Sequence, residues 1–220
     1  MTAKRPPEAV PHGLLIVVVA LTLVVLGLGA VTVALQLRPE RAPATAAERD
    51  IAIWKARLDE NPSAWAHTGL GLAYLDAGDE TAATEAFHDA LELNPNDWMA
   101  LFQLGLLVKD TDPDTAVDYL SRSGDVAPRS QGVAPLVALG DLLLARGDAA
   151  GAKAAFERAI SDYPFDFSSH FGLGQALEQL GDVAGALEQY QRAADFNPDS
   201  AEALDAIERL GGSPTTTEGP

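Results

Sequence analysis

Leu70 to Pro95 reads L-G-L-A-Y-L-D-A-G-D-E-T-A-A-T-E-A-F-H-D-A-L-E-L-N-P, and two helices with a break between them follow from it. Leu70 and Tyr74 are one helical turn apart and share a face of the first helix. Gly71, on the same turn, leaves room for a neighbouring helix to come close. Gly78-Asp79 interrupts the chain. Ala83, Phe87 and Ala90 then form an apolar stripe at helical spacing on the second helix. Pro95 ends that helix, because the residue before a proline is pushed out of helical geometry.

The frame recurs. Leu139-Gly140, Leu143, Gly147-Asp148, Ala152, Phe156, Ala159 and Pro164 repeat it, and so do Leu173-Gly174, Leu177, Gly181-Asp182, Ala186, Tyr190, Ala193 and Pro198. A weaker copy lies between them: Leu104-Gly105, Val108, Ala116, Leu120, Ser123 and Pro128, with a turn one residue shorter and Ser123 where alanine is expected. Pro62, Pro95, Pro128, Pro164 and Pro198 are 33, 33, 36 and 34 residues apart. The pattern resembles the tetratricopeptide repeat, a helix–turn–helix unit of about 34 residues. The fold this implies is all-α, a solenoid of four stacked hairpins with capping helices.

The 220-residue chain has no cysteine and a formal charge of −17. Residues 1–50 carry Lys4, Arg5, Arg38, Arg41 and Arg49 against four acids, so nearly all the negative charge lies in the remaining 170 residues. An acidic body excludes nucleic acid as a partner, since phosphates need Lys and Arg. It also disfavours docking of that body on anionic lipid. Without cysteine there are no disulfides, no thiol chemistry and no cysteine metal sites.

Residues 1–12 are a short polar tail. Gly13 to Leu37 then runs 25 residues without a charge. As a helix, Leu14 to Leu37 spans roughly 36 Å, enough for a hydrocarbon core of about 30 Å with some tilt. A cleavable signal peptide is the competing reading, because Ala42-Pro43-Ala44 and Ala44-Thr45-Ala46 both fit a small-x-small site. The apolar run exceeds the length of a signal core, which favours an uncleaved transmembrane helix over 13–37. Two Lys/Arg before the span and three after it leave the positive-inside rule undecided. A short basic tail, one apolar segment and a large following domain have the form of a signal anchor with an exported body. The expected location is therefore the cell membrane, single-pass, with the repeat domain outside the cytoplasm.

Residues 38–46 read as a Pro/Ala-rich linker and 47–210 as the repeat domain. A leading helix over Ala47 to Asp59 carries Ala52, Ile53, Trp54 and Leu58 and ends at Asn61-Pro62. Repeats are expected at about 64–97, 98–130, 133–166 and 167–200. A cap helix over 200–210 follows, with Leu204, Ile207 and Leu210 covering the last repeat. Residues 211–220 read as a disordered tail.

Candidate chemistry is sparse. Asp110-Thr111-Asp112-Pro113-Asp114 opens like a calcium loop, but Thr115 and Ser121 stand where that loop needs Gly and Glu. Asp112 instead reads as the N-cap of a helix that begins at Pro113. His12, His67, His88 and His170 lie one to an element, with no metal-binding spacing. His67 and His170 share one frame position and read as packing residues. Gly69-Leu70-Gly71 and Gly172-Leu173-Gly174 lack the strand and loop of a nucleotide fingerprint. No nucleophile sits beside a base in a recognisable motif. The chain reads as a non-enzyme with no metal and no cofactor.

In the family that the repeats resemble, the first helix of each unit lines a concave groove. Carried over, this places Trp65, Thr68, Leu72 and Leu75 there, then Met99, Phe102, Leu106 and Lys109. Ala134, Val137, Asp141 and Leu144 follow, and then Ser168, Phe171, Gln175 and Glu178. The Lys and Asn clamp by which chaperone-binding members hold a C-terminal carboxylate is absent. The expected partner-binding residues are Trp65, Leu72, Met99, Phe102, Leu106, Val137 and Phe171, suited to a partner's amphipathic helix or extended apolar segment. Alternatively the Trp54 helix or a neighbouring copy fills the groove. The whole resembles bacterial single-span proteins with an extracytoplasmic repeat domain, including the repeat subunits of cytochrome c maturation systems and ancillary translocon subunits. That implies a protein-interaction module or, alternatively, a structural accessory subunit of a large membrane complex. The intact protein is expected to partition with membranes and keep its N-terminus. N-terminal sequencing that begins at Thr45 or Ala47 would overturn the anchor.

Overall fold

The computed structural model describes residues 45–129 and 131–213. The tail at 1–12, the membrane segment at 13–37, nearly all of the linker and residues 214–220 lie outside the described residues. Among the described residues no helix is long and apolar enough to cross a membrane. Those residues form helices joined by short turns: α1 (Ala46–Glu60), α2 (Ala64–Asp76), α3 (Glu80–Leu93), α4 (Trp98–Val108), α5 (Pro113–Val126), α6 (Val133–Ala145), α7 (Ala149–Asp162), α8 (Phe167–Gln179), α9 (Val183–Phe196) and α10 (Ala201–Arg209). Four hairpins, α2–α3, α4–α5, α6–α7 and α8–α9, stack in chain order between α1 and α10.

The turns inside the hairpins are built by Gly-Asp. Gly78, Gly147 and Gly181 hold φ of 77°, 79° and 82°, a region that a side chain disfavours. The aspartate that follows each caps the next helix: Asp79, Asp148 and Asp182 accept hydrogen bonds from the amides of Ala82, Gly151 and Gly185. In the second hairpin the turn is shorter and needs no positive φ. Asp112 caps α5 through the Thr115 amide, with Pro113 in the first turn, where its missing N–H costs nothing.

Each hairpin is held by a large side chain of its second helix lying on a glycine of its first. A Cβ on Gly71 would come 2.5 Å from the Phe87 ring, one on Gly105 would come 2.7 Å from Leu120, one on Gly140 2.5 Å from Phe156, and one on Gly174 2.6 Å from Tyr190. Phe87, Leu120, Phe156 and Tyr190 are all essentially without solvent contact. Phe156 also lies against Gly172 of the next hairpin, so one ring ties α6 to α8. Small residues complete the packing, with Ala83, Ala90, Ala116, Ala152, Ala159, Ala186 and Ala193 fully buried.

Ser123, in the alanine position of the second hairpin, is 0% exposed, and its hydroxyl donates to the Trp98 carbonyl at 2.7 Å. The hydrogen bond offsets the cost of burying the hydroxyl, which would otherwise exceed that of an alanine. The final helix α10 buries Ala203, Ala206 and Ile207, with Leu210 packed beside them and Leu204 only half-buried. Its buried stripe is therefore turned about one position from the Leu204–Ile207–Leu210 face expected of it. Gly211 and Gly212 close α10 by donating to the carbonyls of Glu208 and Ile207.

Replacing Gly140 by Ala tests the seating of Phe156. Alanine favours a helix over glycine by about 1 kcal/mol, whereas overpacking a rigid core costs about 1–3 kcal/mol. The buried ring has nowhere to move, so a net loss of stability and a lower melting temperature by circular dichroism are expected. An unchanged or raised melting temperature would mean that the pair spacing is set elsewhere.

Candidate functional site

With Leu70, Leu104, Leu139 and Leu173 turned into the core, each first helix presents another face away from its partner. Three cavities lie along these faces. The first, of about 420 Å³, is walled by Trp54, Trp65, Thr68, Gly69 and Leu72, with Trp98 and Met99 beyond. The second, of about 580 Å³, is lined by Met99, Phe102, Ala134, Val137, Ala138 and Asp141. The third, of about 560 Å³, lies between Asp141, Leu144, Gln175, Glu178, Tyr190 and Arg209. Trp98, Met99 and Gln131 belong to both the first and the second cavity, and Asp141 to both the second and the third. The cavities are thus one continuous trough along α2, α4, α6 and α8.

At the α1 end Trp65 is 60% exposed. Trp54 crosses it edge-on, with ring centroids 4.7 Å apart. The Arg57 guanidinium lies 5.1 Å and 5.0 Å from the two ring centroids. Trp54 is seated where Gly69 has no side chain. It forms a wall of the first cavity and does not reach the second, which stays open.

Of the residues expected to bind a partner, Trp65, Leu72, Met99, Phe102 and Val137 line the first two cavities. Leu106 and Phe171 line none of the three. Phe171 is half-buried, stacked on Phe167 at 5.6 Å and tilted against Tyr190 at 5.3 Å. Phe102 has two surroundings: it lines the second cavity and also packs on the core of Leu120, Leu139 and Ala155. The frame taken from α2 did not anticipate that second contact. Gln131 was missed as well. It lies in the stretch that makes the Pro128–Pro164 interval 36 residues long, and the extra length brings its amide over the trough. The long interval was the available signal.

Polarity changes along the trough. In the first two cavities the ionisable groups are Asp97, Asp141 and Asp166, and no Lys or Arg is among the lining residues. Asp97 is engaged: it caps α4 through the Ala100 amide at 3.1 Å and accepts from the Thr68 hydroxyl at 2.9 Å. Asp166 accepts from both the amide and the hydroxyl of Ser169 at 2.7 Å. Asp141 makes no such bond. Its carboxyl is raised above the usual range because the trough wall displaces part of its hydration, with Lys109 weakly opposing. In the third cavity Arg209 forms a two-pronged pair with Glu178, whose other partner is the Tyr190 hydroxyl at 3.0 Å. The guanidinium beside it holds Glu178 below the usual range, while burial, then Glu178 itself, pushes the Tyr190 hydroxyl up.

His170 is buried and satisfied, with Nδ1 2.8 Å from Gln189 and Nε2 3.0 Å from the Pro164 carbonyl. His67 stands in the same frame position, with Nδ1 3.5 Å from Asp89. Among the described residues no group of His, Asp and Glu is arranged to hold a metal ion.

Tetratricopeptide-repeat models match residues 64–97 and 137–210. Superkiller protein 3 of Schizosaccharomyces pombe is 28% identical over 159 residues, which are 69% of this chain and 11% of that protein. The chain therefore spans only about a tenth of that relative. Among solved structures, pilF of Pseudomonas aeruginosa superposes with a TM-score of 0.66 at 20% identity, covering 75% of each chain. YrrB, described as a TPR protein with an unusual peptide-binding site, superposes with a TM-score of 0.60 at 23% identity, over 74% of this chain and 84% of that one. At these identities the solved structures show the fold alone.

The two trough acids should move stability in opposite directions. The lowered folded-state pKa of Glu178 contributes stability above its unfolded pKa, and this is lost as pH falls through the folded value. The raised pKa of Asp141 removes stability as pH rises through its folded value. At pH 7, Glu178→Gln is expected to lower the melting temperature and Asp141→Asn to raise it, both differences fading below the carboxylate range. Thermal melts at pH 7 and pH 3 check this; a loss of stability in Asp141→Asn at pH 7 would contradict it.

Proposed function

The chain is a tetratricopeptide-repeat protein, and we propose that it works by holding a segment of another protein in the trough formed by α2, α4, α6 and α8. The observation that carries this reading is the continuity of the three cavities, with an apolar floor of Trp65, Leu72, Met99, Phe102 and Val137. An exposed apolar strip rimmed by polar groups gains free energy when a partner's side chains cover it. It suits an amphipathic helix or an extended segment with alternating apolar residues. No step of chemistry enters.

The same proposal places the repeat domain at a membrane surface. Its support is the charge-free run from Gly13 to Leu37, with the repeat domain on the extracytoplasmic side. There the protein would serve an assembly process, of which cytochrome c maturation is one candidate. A second reading, a permanent subunit of a membrane complex, draws on a different feature. Tyr163, Phe165 and Phe196 form an edge-to-face ladder of rings 6.2 Å and 5.9 Å apart, with Phe165 67% exposed. Lasting interfaces bury apolar surface of that kind.

Met99→Glu tests the trough without touching the core, because Met99 lines two cavities whereas Phe102 also supports the packing. The full-length protein is purified from detergent-solubilised membranes in both forms, and helicity is followed by circular dichroism. The substituted protein is expected to keep its helicity and lose the partners that the unaltered protein retains. Identical co-purifying partners in both would rule out the trough. If Phe165→Ser then removes them, the ladder is the interface.

A further inference from the structure

The occupant of the trough can be given a chemistry, and this step rests on the trough being the binding site. The second cavity is apolar over Met99, Phe102, Ala134 and Val137 and ends at Asp141. Every ionisable side chain on the walls of the first two cavities is an acid. Two of those acids are engaged by the protein itself, Asp97 by Thr68 and the Ala100 amide, and Asp166 by Ser169. Asp141 has no hydrogen bond, has Lys109 only as a weak counter-charge, and stands at the junction of the second and third cavities. A carboxylate left in that state, one helical turn from Val137 on α6, is complementary to a cation next to an apolar side chain.

We propose that the trough binds a partner segment in which a large apolar residue, seated against Phe102 and Val137, is followed within a turn or two of chain by Lys or Arg directed at Asp141. Beyond Asp141 the wall is already neutralised, because Glu178 is paired with Arg209. A second basic residue there would find its acid taken. The apolar residue supplies affinity and the basic residue fixes direction, because a reversed segment brings the cation among Trp54, Trp65 and Arg57, where Arg57 repels it. An acidic segment is excluded by the same walls. A second copy of this chain is a poor occupant, since its own formal charge is −17.

The test uses the full-length protein in a zwitterionic detergent and four fluorescein-labelled twelve-residue peptides on an alanine–serine background. One carries two leucines, one two lysines, one both, and one two leucines with two glutamates in place of the lysines. Fluorescence anisotropy at low salt is expected to show the leucine–lysine peptide binding roughly tenfold tighter than the leucine–glutamate peptide. Asp141→Lys should reverse that order, and Asp141→Asn should flatten it. Equal binding of the two peptides, or an order that survives Asp141→Lys, overturns the assignment of the basic residue and leaves the trough in place. Binding unaffected by Met99→Glu overturns the trough and the assignment together. So does a leucine–lysine peptide that fails to bind while sedimentation shows a dimer broken by Met99→Glu.

Discussion

In each hairpin a bulky side chain of the outer helix rests on a glycine of the inner one: Phe87 on Gly71, Leu120 on Gly105, Phe156 on Gly140 and Tyr190 on Gly174. The contact decides two things together. It sets how closely the helices of a pair approach, because nothing larger than a hydrogen fits beneath the ring. It also fixes the rotation of the inner helix, since the glycine must face its partner. Once that face is committed, residues such as Met99 and Val137 are carried round to the side that no helix covers. The trough is therefore a by-product of how the pairs close. Phe156, shared between Gly140 and Gly172, passes the same constraint from one hairpin to the next.

This explains why the fold was legible in the sequence. Glycine and aromatic recur at constant spacing, and both are residues whose size is the point. The Gly-Asp pairs were equally readable, because positive φ and an N-cap are local demands met by neighbouring residues. Even the irregular second hairpin followed from Asp112-Pro113, a start signal that works without the glycine. The positions of Trp65, Leu72, Met99 and Val137 on the trough wall were legible for the same reason: helical phase carries over once one glycine is placed.

What could not be read depends on contacts between distant parts of the chain. Gln131 reaches the trough only because the extra residues before α6 bulge toward it, and Gly132 leaves that helix without a side-chain cap. Arg209 meets Glu178 across 31 residues, so neither could be named as the other's partner from spacing. The double contact of Phe102 is of this kind too. A strict repeat would turn the residue toward the trough alone, but in the second hairpin Leu120 is smaller than the aromatics of the others. Phe102 fills part of the volume that a larger ring would have taken. The half-turn of α10 has a simpler cause. Ala203 and Ala206 let that helix come closer than Leu204 would allow, and the closer face wins.

The acids divide into those the fold uses and one it does not. Asp79, Asp97, Asp112, Asp148, Asp166 and Asp182 each satisfy the amides at a helix start, where the helix dipole favours negative charge. Glu178 ties the last helix to the array through Arg209. Remove any of these from consideration as binding groups, and Asp141 is what remains on the trough wall between Val137 and Gln175. It lies in mid-helix, away from the amides of a helix end, and its carboxyl is driven up by lost hydration. A helix of this composition would be more stable with leucine there, as at Leu72 and Leu106 in the earlier hairpins, which hold the same place in the frame. An acid that weakens the fold in the open protein gains a favourable partner once a cation is laid beside it. The apolar wall then turns from a cost into an advantage, because excluding water strengthens the attraction. The hydration missing at Asp141 is what an arriving basic side chain would replace.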